Sequence, residues 1–509
     1  MKLAFLAALA LVSAGLAALS LPSFDYGFLA WIALAPLFYA LRQRGLAAGA
    51  GLGYLFGYAF GVGTFFWILT IPDLNAMRFA LLMGVFGLYY LAFGFCYALA
   101  SRFVGSWLIL AGPALGAAFE YARCNFSFFA FPWNFLAHSQ YQTLPVIQVA
   151  DITGMYGVTF VLLVVNQLLS QLPDLFGERR WHWRAQGAVA SVVLAATLLY
   201  GWYRLGAAPD PAGHVRVAVV QANITARSGM TVAEQMKHLA SYERLTREIA
   251  PEKPELIVWP SSSLPGPISF WMIRLFVNQV AHGAGVPILV GGAGGDKFAP
   301  ARDGLFPWSN SEFLISPKGE LEGQYNKIRL TPFNEEVPLH GRIKLPHWIT
   351  SLEKSFVAGD TYTLFQIGNA RFGAPICWEN NFPDVFRRFM LEGANFMVSV
   401  TNESVFGPTA GPHQTFAMVV FRAVENRVAV ARAATTGVSA FVDPQGRVVS
   451  RVADTSGAEL FVRGARVWDV PLTQTKTFYT RYGDVFAIGA SLASLGMLLH
   501  FAFRKGSSA

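Results

Sequence analysis

The sequence predicts a multi-span α-helical membrane domain of about eight transmembrane helices that carries an α/β domain outside the lipid. Three observations predict it. The chain has 509 residues, 54% hydrophobic and only 14% charged, with mean hydropathy +0.40. A soluble globular chain carries about a quarter charged residues, so this is membrane composition. The apolar residues are also unevenly placed: 1–204 is almost continuously apolar, 205–483 has ordinary globular content, and a last apolar run at 484–503 precedes Arg504-Lys505. Within 205–483, short β-rich runs alternate with helical patterns, the signature of sheets covered by helices. The expected domains are 1–204 with seven transmembrane helices, 205–483 outside the cytoplasm, and 484–509 as a C-terminal transmembrane helix with a cytoplasmic tail.

The apolar segments run 3–20, 26–42, 49–71, 79–101, 106–122, 156–173, 186–204 and 484–503. Each is about the length a helix needs to cross ~30 Å of hydrocarbon at ~1.5 Å per residue. The first has the look of a signal peptide, but 26–42 follows at once and it reads as a retained span. An even number of spans puts both termini on one side. Lys2, Arg42, Arg44, Arg102, the Arg179-Arg180 to Arg184 loop and Arg504-Lys505 share that side; the opposite loops carry little, Asp25 after span one and Asp73 and Arg78 after span three. An Arg at the membrane centre costs about 3 kcal/mol on insertion scales, so the bias acts at assembly and makes both termini cytoplasmic. Residues 205–483 then lie in a compartment that excludes most ATP-driven chemistry. The net charge of +8 is scattered among short loops beside apolar segments, which is a topology signal and not a nucleic-acid footprint.

In 205–483 the expected strands are 215–221, 256–259, 287–290, 311–315, 372–376, 396–401, 428–434 and 438–443. Thr231-Val-Ala-Glu234 is a capping box opening an amphipathic helix to about Ala250, and 414–426 reads as helix. There is no GxGxxG, P-loop, HExxH or GxSxG motif. His214, His238, His282, His340 and His347 sit in separate elements, and Cys96, Cys124 and Cys377 are too far apart for a disulfide framework or zinc site. No metal and no cofactor is expected.

The chemistry centres on Arg371-Phe-Gly-Ala-Pro-Ile-Cys377-Trp378-Glu379-Asn-Asn381. It reads as a buried strand ending at a cysteine, with a helix from about Pro383. A thiol at such a junction lies near free N–H groups and the positive end of a helix dipole, both of which favour the thiolate. A lone cysteine is also a small buried hydrophobe. Lys327, set among acids in Tyr325-Asn-Lys327-Ile-Arg-Leu-Thr-Pro-Phe-Asn-Glu335-Glu-Val-Pro338, is a candidate activator.

These residues carry a resemblance. Gln221-Ala-Asn223-Ile224, Trp259-Pro260, Tyr325-Asn-Lys327, Pro332-Phe-Asn-Glu335-Glu-Val-Pro338, Ile376-Cys377-Trp378-Glu379, Asn402 to Phe406-Gly407, and Arg422-Ala-Val-Glu425-Asn-Arg427 to Asp443-Pro-Gln-Gly446 occur in the order of the nitrilase, or carbon–nitrogen hydrolase, superfamily. With Glu120-Tyr-Ala-Arg123 and Phe131-Pro-Trp133-Asn134 in the apolar part, the whole chain resembles the bacterial apolipoprotein N-acyltransferase family. The resemblance implies an α-β-β-α sandwich and a Glu–Lys–Cys triad, with Cys377 as nucleophile, Lys327 as the cation holding thiolate and oxyanion, and Glu335, Glu379, Trp378 and Asn402 in support. The proton-accepting Glu should follow Pro260, where this chain has Ser261-Ser262-Ser263. A serine hydroxyl does not accept a proton at neutral pH as a carboxylate does. Three explanations stand open: Glu335, or else Glu379, takes over as base; another acid enters from elsewhere; or activity is reduced, altered or lost. Thr415, Thr435 and Val405 stand where the family has His, Asn and Trp.

The resemblance further implies ping-pong transfer of an acyl chain from a phospholipid donor, through a Cys377 thioester, to the α-amine of diacylglyceryl-cysteine on apolipoproteins. It places the 205–483 domain on the periplasmic face of the inner membrane. The rival readings are a membrane-tethered nitrilase-type amidase using water, and a lipid- or lipoprotein-binding scaffold. Residues 264–276, Leu264-Pro-Gly-Pro-Ile-Ser-Phe270-Trp271-Met-Ile-Arg-Leu-Phe276, are too apolar for an exposed loop. They are expected either to dip into the bilayer as a lid or substrate guide, with Phe270 and Trp271 touching substrate, or to pack on the domain's own core. Glu120 and Arg123, one turn apart, are expected to pair.

Overall fold

The computed structural model describes residues 3–22, 24–72, 74–126, 130–176, 180–207, 210–224, 229–295, 308–337, 346 and 355–506. Lys2, Asp73, Arg179, Pro338, His340 and His347 lie outside the described residues, as do the side chains of Arg504 and Lys505. The chain separates into two compact units, Met1–Ala208 with Tyr482–Ala509, and Pro209–Arg481.

Among the described residues of the first unit the regular elements are all helices. Leu46–Thr70, Ala76–Phe103 and Arg180–Gly206 are long and apolar enough to cross a membrane. Leu3–Leu19, Met155–Ser170 and Val485–Phe501 are shorter apolar helices, and Leu108–Asn125 contains Pro113. The expected span 26–42 is broken into a 3-10 turn, Gly27–Trp31, and a seven-residue helix, Ala35–Leu41, which Pro36 opens. Asn166 repairs the break. Its Oδ1 accepts from the N–H of Leu34 (2.7 Å) and Ala35 (3.0 Å), while its Nδ2 donates to Ala30 O at 2.9 Å. Gly49, Gly53, Gly57 and Gly61 recur every fourth residue on Leu46–Phe65, one face of that helix. A Cβ on Gly53 would lie 2.1 Å from Tyr90 O, and one on Gly94 would lie 2.3 Å from Gly49 O. Dispersion contacts between backbones this close hold helices together where lipid removes the hydrophobic drive.

Glu120 and Arg123 do not pair with each other. Glu120 accepts from Leu136 N (2.9 Å) and Thr159 Oγ1 (2.6 Å), and Arg123 donates to Trp133 O at 2.8 Å and lies 4.3 Å from the Phe135 ring centroid. Both fasten the irregular stretch 133–136, whose backbone groups a low-dielectric setting would leave unpaired at a cost of several kcal/mol each.

The second unit is a sandwich of two six-stranded sheets. The strands are β1 (His214–Gln221), β2 (Leu256–Val258), β3 (Ile288–Gly294), β4 (Ser309–Ile315), β5 (Leu321–Asn326), β6 (Phe365–Ile367), β7 (Ala370–Gly373), β8 (Phe396–Thr401), β9 (Val430–Ala434), β10 (Ala440–Val442), β11 (Val448–Arg451) and β12 (Gly464–Pro471). The sheet orders are β12-β1-β2-β3-β4-β5 and β11-β10-β9-β8-β7-β6, with β1, β2, β3 and β7, β8, β9 parallel within their sheets. Each of the eight strands expected from alternation falls on one of these. The four that alternation missed, β5, β6, β11 and β12, are the edge strands of the two sheets: β6 is three residues long, β5 is largely polar, and β11 and β12 are mostly half-buried or exposed.

Helices cover the outer faces. The Thr231 hydroxyl accepts from Glu234 N at 3.3 Å, and Thr231 N donates to the Glu234 carboxylate at 2.7 Å, closing the capping box of helix Val232–Ile249. That helix and Trp271–Ala284 bury Leu239, Tyr242, Ile273 and Val277 against Ala218, Val220, Ile257, Val290 and Phe313. Each such side chain contributes about 1.5–3 kcal/mol. On the other sheet Phe389, from helix Pro383–Glu392, lies so close to β7 that a Cβ on Gly373 would sit 2.3 Å from its ring. The inner faces meet where Ser439 Oγ donates to Gln221 Oε1 at 2.5 Å and Phe441 lies 5.6 Å from Trp468.

Of the two readings of 264–276, packing on the domain's own core is the one most of the stretch follows. Leu264, Ile268 and Ile273 are buried in the core just described, Phe270 packs against it, and residues from Trp271 onward are helix. What projects outward is narrow: Trp271, 72% exposed, and Leu275 one turn later, 48% exposed.

Candidate active site

The candidate site lies where strands end. β7 and β8 run parallel, and past β7 the chain continues to Ile376, which bridges to Val400 of β8. Cys377 comes next with φ +52°, a left-handed conformation that a non-glycine residue keeps only when its surroundings impose it. The helix begins at Pro383 as expected, and the turn between it and Cys377 is 3-10, Cys377–Asn381. Thr401, the last residue of β8, hydrogen-bonds to the Cys377 side chain.

Lys327 follows β5, in the other sheet. Its N–H donates to Asn310 O of β4 at 2.8 Å, and its buried ammonium donates to Thr331 Oγ1 at 3.0 Å and to Glu335. Glu335 is also buried, and accepts in addition from Asn310 Nδ2 (2.7 Å) and Thr331 N (2.8 Å). Burial opposes the charge on both groups, but their pairing prevails. The Lys327 ammonium is held above the usual lysine range, with Cys377 adding to the effect of Glu335, and the Glu335 carboxyl is held below the carboxylate range. A carboxylate with three donors and a depressed pKa suits the work of keeping Lys327 charged. As a proton acceptor it is weak.

Cys377 retains partial exposure. Burial nonetheless pushes its thiol up, and the Lys327 charge pulls it down without prevailing, while Glu335 and Glu403 oppose ionisation. This corrects the expectation of a freely formed thiolate: the sulfur shares its surroundings with an ammonium, but desolvation is the stronger effect.

Glu379 joins the two loops. Its Oε1 accepts from Tyr325 Oη (2.8 Å), Ile328 N (2.8 Å) and Arg329 N (3.0 Å), and its Oε2 from Ile376 N (2.8 Å). The carboxyl is fully buried and its pKa is raised by burial against those four donors. Trp378 packs edge-on to Phe382 with ring centroids 5.7 Å apart. Asn402 caps a turn, its Oδ1 accepting from Ser404 N (3.2 Å) and Ser404 Oγ (2.7 Å). Ser261, past the end of β2, is buried, and its carbonyl accepts from Thr435 Oγ1 at 3.4 Å; the same hydroxyl lies 3.4 Å from Thr401 O. Phe270 and Trp271 belong to the helix that covers the first sheet.

Sequence reasoning passed over two acids. Glu403, beside Asn402, is buried; its Oε1 accepts from Arg432 Nη2 at 2.7 Å and from Thr415. Glu312, in β4, is buried with no hydrogen-bond partner on either oxygen. The available signal was periodicity: Ser311, Phe313 and Ile315 alternate with Glu312, which puts a charge on the inward face of a strand buried on both sides.

Two outcomes follow. Glu379→Ala strands four buried donors, so the unit should lose about 3 kcal/mol or more of stability in urea unfolding, and Cys377 alkylation should lose its single-exponential rate. Glu379→Gln, which keeps one acceptor oxygen, should fall between. For the Lys327–Glu335 pair, Glu335 contributes stability above its unfolded pKa of about 4.3, lost as pH falls through the folded value. Lys327 contributes below about 10.4, lost as pH rises through its raised folded value. The stability difference between the parent and Glu335→Gln should therefore be flat from about pH 5 to 10, near 3–5 kcal/mol, and shrink towards acid. A difference that grows towards acid would contradict the pairing.

Comparison with known proteins agrees with this architecture. Residues 13–168 match the family described as apolipoprotein N-acyltransferase N-terminal domain, and residues 216–462 match carbon-nitrogen hydrolase. The chain is 32% identical to the apolipoprotein N-acyltransferase of Geobacter metallireducens, covering 98% of this chain and 95% of that one. It is 30% identical to that of Allorhizobium ampelinum, covering 87% of each. Among solved structures it is similar to an amidase from Nesterenkonia sp., with 18% identity, 54% of this chain and 93% of that one covered, and a TM-score of 0.37, a likeness too slight to bear on the site. The chain belongs to the apolipoprotein N-acyltransferase family.

Proposed function

We propose that this protein transfers a fatty acyl chain from a membrane phospholipid to the free α-amine of diacylglyceryl-cysteine on apolipoproteins. The observation that carries the reading is the partly exposed Cys377 placed beside the buried Lys327–Glu335 pair, each acting on the other's charge, in a chain of this family. Cys377 Sγ attacks the ester carbonyl of the donor. A C–S bond forms, the C–O bond breaks, and the lysophospholipid leaves with a proton on its hydroxyl. The amine then attacks the thioester, a C–N bond forms, and sulfur departs as the amine gives up a proton. Lys327, kept charged by Glu335, stabilises both the thiolate and the oxyanion of each tetrahedral intermediate, together with backbone N–H groups after Cys377. Glu379 is a positioning residue that sets the two loops in register, and Trp378 and Asn402 shape the turns beside them.

The setting belongs to the same proposal. Eight crossings of the cytoplasmic membrane place both termini in the cytoplasm and Pro209–Arg481 on the periplasmic face, as the distribution of Arg and Lys supports. Trp271 and Leu275, exposed one turn apart on Trp271–Ala284, serve as an anchor in the outer leaflet; this is a narrower contact than a whole lid.

Incubation of the purified protein with phospholipid vesicles, followed by intact-mass and peptide mass spectrometry, tests the chemistry. The expected product is an acyl adduct on Cys377 that a diacylglyceryl-cysteinyl peptide discharges as amide. The adduct should be absent in Cys377→Ala. Release of free fatty acid with no amide would favour the amidase-like reading with water as acceptor, and no adduct on a folded protein would favour a binding scaffold. For the anchor, brominated lipids should quench Trp271 fluorescence most strongly with bromine near the headgroup, in a variant where the other tryptophans are subtracted through Trp271→Phe. Equal emission with and without bromine would remove the anchor.

A further inference from the structure

Both steps proposed above move a proton, and the acids already placed are poorly suited to carry it. Glu335 accepts three hydrogen bonds and Glu379 four. Glu403 has one oxygen committed to Arg432 and Thr415; the other, though without a partner, lies 2.0 Å from where a Cβ on Gly437 would be. Ser261 offers only a hydroxyl, which is no proton acceptor at neutral pH.

Glu312 is different. It is fully buried, and neither carboxyl oxygen has a partner. Its position is set by three neighbours. In the antiparallel ladder of β3 and β4 it stands opposite Gly291, and its Oε1 lies 2.5 Å from the point that a Cβ on Gly291 would occupy. Ser261 Cα lies 2.6 Å from that same point. The carboxyl therefore reaches across β3, through the space a missing side chain leaves, to the backbone of Ser261. On its other side Glu312 stands opposite Tyr325 of β5, whose hydroxyl donates to Glu379. Two residues along β4, on the same face, Asn310 donates to Glu335. From Ser261 the contacts run through the Thr435 hydroxyl to Thr401, which hydrogen-bonds to Cys377. Packing does not call for an acid here: a leucine would fill the interior without the desolvation that an unpaired carboxyl suffers.

We propose that Glu312 is the proton carrier of the acyl transfer, reaching from β4 into the space beside Ser261 that a longer acidic side chain at 261 would fill. Burial without a partner raises its pKa well above the ordinary glutamate value, which favours the neutral form the first step uses. In the first step the Cys377 thiolate bonds to the acyl carbon, the ester C–O bond breaks, and the Glu312 O–H gives its proton to the departing alkoxide. The negative charge passes from sulfur to the carboxylate. In the second step the amine nitrogen bonds to the acyl carbon, the C–S bond breaks, and the carboxylate takes the ammonium proton. Thiolate and neutral acid are restored, and each turnover balances without another reactant.

The inference rests on the acyl-transfer reading, and its test separates the two. Glu312→Gln keeps the shape and removes the titrating proton; amide formation should slow by about 10²- to 10⁴-fold. Glu312→Ala should be similarly slow, and Glu312→Ala combined with Ser261→Glu should regain most of the rate by returning a carboxyl to the same space. A purely structural Glu312 would not be rescued from position 261. In parallel, the pH profile of Cys377 alkylation by iodoacetamide, which needs no lipid, should shift from two overlapping ionisations to one in Glu312→Gln, because the carboxyl that exchanges its proton with the thiol is gone. Transfer by Glu312→Gln within threefold of the parent would overturn the proposal, and so would failure of Ser261→Glu to rescue a folded double variant. If the parent itself transfers nothing, the acyl-transfer reading fails, and the alkylation profile still decides Glu312: a profile unchanged in Glu312→Gln overturns it.

Discussion

One carboxylate ties the catalytic unit together. Glu379 accepts from Ile376, at the end of the second sheet, and from Tyr325, Ile328 and Arg329, at the end of the first. The two halves of the sandwich bring Cys377 and Lys327 from residues fifty apart, on loops that share no strand. Dispersion between sheet faces holds them at roughly the right spacing, but it is non-directional and cannot fix a loop to a fraction of an ångström. Hydrogen bonds to one charged acceptor can, because each is directional and the group is inaccessible to competing water. The left-handed backbone at Cys377 is imposed by the same arrangement, since Glu379 grips the residue just before it.

The electrostatics of the site follow from how few charges its interior admits. Lys327 and Glu335 are buried together, and the pair survives because each remaining lone pair or N–H has a partner in Thr331 or Asn310. Arg432 and Glu403 make a second buried pair a few residues from the nucleophile's neighbour Thr401. With two pairs neutralised internally, desolvation governs what is left, and it raises both Cys377 and Glu312. On the proposed transfer, one negative charge passes between the two as the reaction alternately needs a thiolate and a carboxylate.

Much of this was legible in the residues. The apolar segments, the eight β-rich runs, the capping box at Thr231 and the nucleophile–lysine pairing were set by periodicity, composition and motif order, which are local or nearly so. Three features were not. The break at Pro36 hides inside an apolar run because Asn166, far along the chain, supplies the hydrogen bonds that make it tolerable. Residues 264–276 look surplus to the unit's own needs only until helix Trp271–Ala284 is seen to turn Ile273 and Val277 into the core. The titration of Cys377 depends on how much water the fold removes, a three-dimensional quantity that no spacing in the sequence encodes.

Position 261 shows why a gap in a motif is weak ground for declaring a site lost. Ser261 follows β2 and Glu312 lies two strands away on β4, with neighbouring strands about 4.8 Å apart, so the carboxyl reaches the space beside Ser261 only by crossing β3. Two conditions must hold: the donor residue must face the same side, and nothing may stand between. Glu312 satisfies the first by its parity with Asn310, and Gly291 satisfies the second by having no side chain. Any larger residue at 291 would meet the Ser261 backbone as well as the Glu312 carboxyl, so the glycine, the serine and the glutamate form one steric unit spread over β3, β4 and the turn after β2. Reading any one of them alone gives a defect, a small residue or a misplaced charge; their joint geometry accounts for all three.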